Sequence, residues 1–114
     1  GSFIAGGIWM PPAPELKKVR QEIDYNFDEF QKIISSKKFV AQFGDIDKTQ
    51  ALSRPPKGYD ETNEAIEYLK LKSFIAHLHV ADEALIQKDL VKKIITAFDA
   101  MQPLIHFLNR GIES

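Results

Sequence analysis

The segment from Arg54 to Asp60, Arg-Pro-Pro-Lys-Gly-Tyr-Asp, carries residue types that bind small anions. Arg54 and Lys57 supply positive charge for a phosphate or carboxylate. Gly58 lets backbone N–H groups approach such a ligand, and Tyr59 can stack on it or donate a hydrogen bond. The same residues also fit a rigid turn, in which Gly58 supplies a positive φ and Asp60 caps a helix. The segment therefore predicts either an anion-binding loop, with ligand-binding residues Arg54, Lys57, Gly58 and Tyr59, or a purely structural turn.

Two histidines, His77 and His79, are spaced so that a strand would place both imidazoles on one face. Some metal sites use this spacing, but a site needs a third or fourth ligand, which His106 or an acidic residue would have to supply. The incomplete set favours two half-exposed histidines on a strand. We therefore predict no metal and no cofactor.

Carboxylates recur at helical spacing between Glu22 and Glu29, with Asp24 and Asp28 between them. Paired carboxylates perform acid–base chemistry when burial separates their pKa values. Lysines at positions 17, 18 and 32 interleave with them, as on an ordinary solvated helix face. Catalysis is therefore not predicted there. A serine-nucleophile elbow is also missing, and Gly6-Gly7 precedes Ile-Trp-Met-Pro rather than a nucleotide-binding helix.

Trp9 stands next to Pro11 and Pro12 in a group of aromatic residues that also includes Tyr25, Tyr59 and Tyr68. A tryptophan there can line a ligand pocket or anchor a partner. Large aromatic side chains are more often simply buried. We therefore expect Trp9 to lie in the core.

Composition limits the class of protein. With 114 residues, 44% of them hydrophobic and 27% charged, the chain fits one globular domain spanning residues 1–114. A formal charge of −1 offers no general attraction for nucleic acid. The chain has no cysteine, which is compatible with a cytoplasmic location, and no apolar run of the ~20 residues that cross a membrane.

Two strands can be predicted from periodicity. Ser2–Trp9 is an apolar run that ends at two prolines, which predicts a strand covered on both faces. Gly6-Gly7 within it marks a bulge or a close backbone approach. Ser73–Val80 alternates between apolar and less apolar positions, which predicts a strand with one core face.

The clearest signal is one continuous helical stripe. Pro14 fits the first turn of a helix that runs to about Ser35. The opposite face, which carries Glu22, should be solvated. The apolar positions recur in alternating steps of three and four, at Leu16, Val19, Ile23, Phe27, Phe30 and Ile34.

Shorter elements follow this helix. Ser36 can cap a helix that ends at Gly44, and Lys48–Leu52 is a weak strand candidate. Asp60 or Thr62 can cap another helix. Its inward residues would be Ala65, Ile66 and Leu69.

The final helix should begin with Asp82 as its cap, and Pro103 should kink or divide it near Ala100. Its apolar stripe comprises Leu90, Val91, Ile94, Phe98, Met101, Ile105 and Leu108.

Together these elements predict an α+β fold. We expect a small, mostly antiparallel sheet of two or three strands packed with four to five helices.

An apolar strand such as the first one needs neighbours, and so few strands leave sheet edges exposed. We therefore expect the chain to be the C-terminal part of a larger domain. Further strands would come from missing upstream sequence or from a second copy that pairs through the first strand.

Three segments resemble the second half of a conserved hypothetical bacterial family catalogued as domain of unknown function 2461. They are the stretch from Gly6 to Pro11 with the following Leu16 and Val19-Arg20, the Arg54–Asp60 segment, and the stretch from Leu69 to Phe74. The resemblance runs from Ser2 to Ile112. It implies members about twice as long and an upstream basic segment absent here. It implies no established activity.

Three functions remain open from the sequence. The first is a non-catalytic ligand-binding part of an uncharacterised protein, with its anion site around Arg54, Lys57 and Tyr59. The second is an enzyme that acts on an anionic small molecule, with catalytic residues in the missing half. The third is a protein–protein interaction module that uses Trp9 and the first strand.

Overall fold

A computed structural model describes residues 2–80 and 89–113, with side chains for residues 5–78 and 90–113. In the described part of the chain, two antiparallel strands pack with five helices, which confirms the α+β prediction. Asp82, the expected cap of the last helix, lies outside the described residues.

Strand β1, Ser2–Ile8, pairs with β2, Phe74–Val80, in a register that places Gly6 opposite Ala76. The core face of the sheet carries the buried side chains of Phe74, Ala76 and Leu78, as the alternation predicted. The expectation that β1 is covered on both faces is wrong for the residues whose side chains are described. Ala5 and Gly7 on the second face are exposed.

Trp9 also departs from its prediction. It directly follows β1 and is 64% exposed rather than buried. The two glycines of β1 do mark a close approach, as expected. A methyl group on Gly6 would come within 3.1 Å of Met101, and Gly7 has a φ of +123°.

The long N-terminal stripe forms two helices rather than one. Helix α1, Ala13–Tyr25, and helix α2, Phe27–Ile34, meet at Asn26, whose φ of −122° and ψ of 42° are not helical. Hydrogen bonds with helical spacing continue on both sides, from the Asn26 N–H to the Glu22 carbonyl and from the Phe30 N–H to the Asn26 carbonyl. The apolar period therefore survives the break, which is why the spacing alone did not reveal it.

Helix α3, Lys37–Phe43, confirms both predicted ends. The Ser36 hydroxyl accepts a hydrogen bond from the Phe39 N–H at 3.2 Å, and Gly44 ends the helix with a φ of +75°. Phe39 is fully buried, whereas Val40 is exposed.

The segment between α3 and β2 is mostly turns. The weak strand candidate reduces to one bridge between Ala51 and Leu71. Helix α4 is a single turn, Ile66–Leu69, and neither predicted residue caps it. The side chain of Asn63 instead accepts a hydrogen bond from the Ala65 N–H at 2.7 Å.

Helix α5 spans Asp89–Glu113 with Pro103 inside it, so the proline does not divide the helix. It packs against α1, α2, α3 and β1. The close approach of α1 and α5 depends on Gly111, where a methyl group would lie 2.8 Å from Cβ of Glu22. The predicted stripe is buried at Met101 and Leu108 but exposed in the first half of the helix.

The main core lies between α1, α2, α5 and the inner face of the sheet. Phe30 is fully buried at its centre, and its ring lies 5.2 Å from Tyr68 and 5.5 Å from Phe107 between centroids. Burying a side chain of this size stabilises the fold by roughly 1.5–3 kcal/mol. In the part of the chain that is described, no helix is both long enough and apolar enough to cross a membrane.

Candidate functional site

A groove of about 620 Å³ lies between helix α1 and the turn that follows Pro55. We call it the α1–turn groove. Helix α1 contributes one wall and the turn contributes the other. The groove is lined by Ala13, Leu16, Lys17, Arg20, Gln21, Asp24, Tyr25, Pro56, Lys57, Gly58 and Tyr59.

Arg20 is the half-buried cation of this groove. It lies one helical turn after Leu16, at the border of the buried stripe. This position partly buries the side chain and lets the guanidinium reach the Leu71 carbonyl. One terminal nitrogen, Nη2, donates a hydrogen bond to the carbonyl of Leu71 at 3.1 Å. Its Nε is buried and has no hydrogen-bond partner among the described residues. The guanidinium is thus held in place while retaining unused donors.

Burial lowers the pKa of Arg20 from its ordinary value, and the neighbouring Tyr59 opposes that shift. Arginine nevertheless stays charged at neutral pH. No carboxylate of the described residues forms an ion pair with Arg20, and a charge partly withdrawn from water without such a partner is costly.

The turn has the rigid geometry that its sequence predicted. The Tyr59 N–H donates a hydrogen bond to the Pro56 carbonyl at 3.1 Å, and Gly58 has a φ of +94°. These features hold Lys57 and Gly58 at the mouth of the groove, where both are exposed. The structural role of the turn and a role in binding are therefore compatible.

Tyr59 is half-buried and packs against the main core. Burial raises the pKa of its hydroxyl, and the carboxylate of Asp24 raises it further. The hydroxyl is therefore protonated at neutral pH and available as a hydrogen-bond donor. Asp24 itself accepts a hydrogen bond from the Asn63 amide at 2.9 Å.

The charges that line the groove are unbalanced. Lys17, Arg20 and Lys57 face a single carboxylate, Asp24, which already has a partner. The groove is therefore locally positive, although the chain as a whole carries a formal charge of −1. Local positive charge in a concave site attracts anions.

The structure brings together three of the four residues predicted for the loop. Lys57, Gly58 and Tyr59 line the groove, whereas Arg54 is exposed and does not. Arg20 was missed. Its signal was its spacing, four residues after Leu16 and three before Ile23, which places a cation at the edge of a buried stripe.

The histidines do not form a metal site in the described part of the chain. Nε2 of His77 lies 2.7 Å from Oδ2 of Asp47. Hydrogen bonds from Thr49 and from His77 lower the pKa of Asp47 to about 2. His106 lies on α5 in a separate cleft, the side chain of His79 is not described, and the described residues contain no cluster of three potential ligands.

Two of the four carboxylates, Glu22 and Glu29, join an ion-pair network with α5, while Asp28 and Glu29 are exposed as predicted. Arg110 of α5 lies 3.0 Å from Glu22 and 2.7 Å from Glu29. Hydrogen bonding to Arg110 lowers the pKa of Glu29. Glu22 was predicted to be solvated but is half-buried against α5. This network ties the first two helices to the last one.

Comparison with known proteins gives one family. The family described as Conserved hypothetical protein (DUF2461) matches residues 1–107, nearly the whole chain. No curated protein and no solved structure gives a significant match. The description of the family names no activity or ligand.

Proposed function

The chain belongs to the DUF2461 family of conserved hypothetical proteins, and we propose that it is a non-catalytic, ligand-binding part of such a protein. Its ligand is a small molecule that carries a phosphate or carboxylate group. The ligand occupies the α1–turn groove. The single observation that carries this proposal is the half-buried Arg20, which lines the groove and forms no ion pair with a carboxylate of the described residues.

The charge of the groove supports an anion as the ligand. Arg20 supplies a fixed guanidinium, and a planar guanidinium matches the two oxygens of a carboxylate or phosphate. Lys17 and Lys57 add exposed positive charge on opposite walls. Because these lysines are solvated, they contribute mainly attraction and the arginine contributes most of the orientation.

The size and the aromatic residues of the groove limit the ligand. A volume of about 620 Å³ lies in the range of small-molecule sites, roughly 300–1,000 Å³. Tyr25 is 79% exposed at the rim and can stack on a planar group of the ligand. The Tyr59 hydroxyl can donate a hydrogen bond to an anion oxygen.

Isothermal titration of the chain with inorganic phosphate, and separately with succinate, tests the proposal at constant ionic strength. The matched variants are Lys57→Gln in the groove and Arg54→Gln outside it. We expect Lys57→Gln to weaken binding by up to about fivefold, because an exposed charge pair contributes roughly 0.2–1 kcal/mol. Arg54→Gln should leave the affinity unchanged. Lack of saturable binding to both anions, or equal losses in the two variants, would contradict the proposal.

The proposal also includes the context of the chain. We place it in the bacterial cytoplasm as the C-terminal half of a longer protein that does not bind nucleic acid. The resemblance of the sequence, the absence of cysteine and the formal charge of −1 support these points. Fractionation of the source cells, with an antibody against the chain, tests location and length together. A membrane-bound or secreted product would contradict it.

A partner at the outer edge of β1 completes the proposal. The described residues form a sheet of two strands, whereas sheets commonly contain about 4–6 strands. Ala5 and Gly7 of β1 are also exposed. The partner is either upstream sequence or a second copy of the chain. Amide hydrogen exchange of β1 distinguishes them, since protection would appear only in a longer chain or only at high concentration. No added protection in either case would refute pairing at this edge.

A further inference from the structure

The first half of helix α5 exposes a continuous set of apolar side chains. Four of the eight large apolar residues that are exposed in the described part of the chain lie here, each between 41% and 64% exposed. They are Val91, Ile94, Ile95 and Phe98. We call this set the α5 apolar face.

This face is separate from the side of α5 that packs into the protein. The inward side carries Ala97, Ala100 and Leu104, all buried. At about 100° per residue, the exposed set is centred more than a quarter of a turn away from them. The first half of α5 therefore has two apolar sides, and its own core covers one of them.

The α5 apolar face continues into an apolar groove. Ile94 and Phe98 form one wall of a pocket of about 110 Å³, whose other walls include Ala5, Phe43 and Leu78. Exposed apolar patches of a few hundred Å² or more mark association sites on soluble proteins. Four side chains that are each about half exposed supply on the order of 400 Å² of apolar surface.

We propose that the α5 apolar face binds the same face of a second copy of this chain, with the two α5 helices antiparallel across a two-fold axis. The axis passes between Ile94 and Ile95. Val91 then meets Phe98 of the partner subunit, and Phe98 meets the partner subunit's Val91. This inference does not depend on the ligand proposed for the α1–turn groove.

The area is consistent with a weak, concentration-dependent dimer. A half-exposed apolar side chain contributes on the order of 100 Å², so the four residues of the face supply about 400 Å² per copy. The pair of copies then buries about 800 Å², which lies in the range of weak, transient interfaces below roughly 1,200 Å². A two-fold arrangement needs one self-complementary patch, and this face is apolar throughout.

The charges that border the face match an antiparallel arrangement. Lys92 and Asp99 are seven residues apart and so lie on the same side of the helix. Neither forms an ion pair within the described part of the chain. Across the proposed axis, Lys92 comes level, to within about two residues or 3 Å along the helix, with Asp99 of the partner subunit. Two symmetric ion pairs would then fix the register.

Sedimentation velocity over a range of concentrations tests the proposal on the whole chain. We expect a concentration-dependent dimer that Phe98→Asp weakens by about tenfold or more, because the buried charge enters the interface twice. Thr96→Asp is the matched control. Thr96 is exposed on the polar side of the same helix turn, so its variant should dimerise like the wild type.

Charge reversal tests the antiparallel register. Lys92→Asp and Asp99→Lys should each weaken the dimer, and the double variant should restore it. Thermal melting followed by circular dichroism confirms that each variant is folded. A monomer at every concentration, a dimer insensitive to Phe98→Asp, or a double variant no better than the single ones would each overturn the proposal.

Discussion

Replacing Arg20 with methionine separates a binding role from a structural one. Methionine preserves most of the length of the side chain and its packing, but it removes the guanidinium. If Arg20 is present for the ligand, the variant should lose anion binding while the fold remains nearly as stable as before.

The expected cost follows from two opposing terms. The buried Leu71 carbonyl loses the hydrogen bond from Arg20, which costs about 1–3 kcal/mol. The variant also removes a half-buried charge whose Nε has no partner in the described part of the chain, and this relief is of similar size. We therefore expect a net loss of about 1 kcal/mol and a fall in Tm of about 4 °C.

Urea unfolding followed by circular dichroism measures the stability, and titration with inorganic phosphate measures binding. Arg54→Met is the matched control, because Arg54 is exposed and lies outside the groove. It should change stability by less than about 0.5 kcal/mol and leave binding intact. A loss above about 3 kcal/mol for Arg20→Met would show that the guanidinium is mainly structural and would refute this reasoning.

Two further perturbations test the fold. The pKa of Asp47 is lowered from 3.8 to about 2, so its charge stabilises the folded state above pH 3.8 and that contribution disappears as the pH falls toward 2. Asp47→Asn should therefore be less stable than the wild type in urea at pH 7 and equally stable near pH 2; a gap that persists at pH 2 would contradict this. Gly7→Ala should cost at least about 2 kcal/mol, because a φ of +123° disfavours a side chain and the new methyl group would collide with the Phe74 carbonyl. Gly44→Ala, where the backbone is also strained for a side chain but no atom lies within 4 Å of the new methyl group, should cost less than Gly7→Ala in the same urea assay, and equal losses at the two glycines would argue against the close approach of the strands.

Local signals in the sequence were sufficient for several elements. Ser36 and Gly44 determine the ends of α3, because a hydroxyl cap and a glycine with positive φ act within a single turn. The alternation of apolar residues in β2 is also a local pattern, and it predicted which face of the strand is buried. The shape of the turn around Gly58 also follows from nearby residues.

Other features depend on residues far apart in the sequence, and the sequence did not reveal them. Arg20 gains its role from the carbonyl of Leu71, and Glu22 from Arg110. Periodicity shows that a position borders a buried stripe, but it does not show which distant group completes the environment.

The exposure of Trp9 and of Phe98 has the same origin. An apolar residue type predicts burial only when a neighbouring element covers it, and the sequence of β1 does not specify its neighbours. Conversely, three predicted site residues do reach one groove. Lys57 reaches it through the turn, whereas Arg54 precedes the prolines, is exposed and does not line the groove.

The most direct test of anion binding in the α1–turn groove is a chemical-shift titration of the ¹⁵N-labelled chain with inorganic phosphate at constant ionic strength. Binding there predicts saturable shifts confined to the groove, with the amides of Gln21 and Gly58 among the largest. Shifts that are absent, or that spread without saturation over exposed lysines such as Lys37 and Lys38, would contradict it.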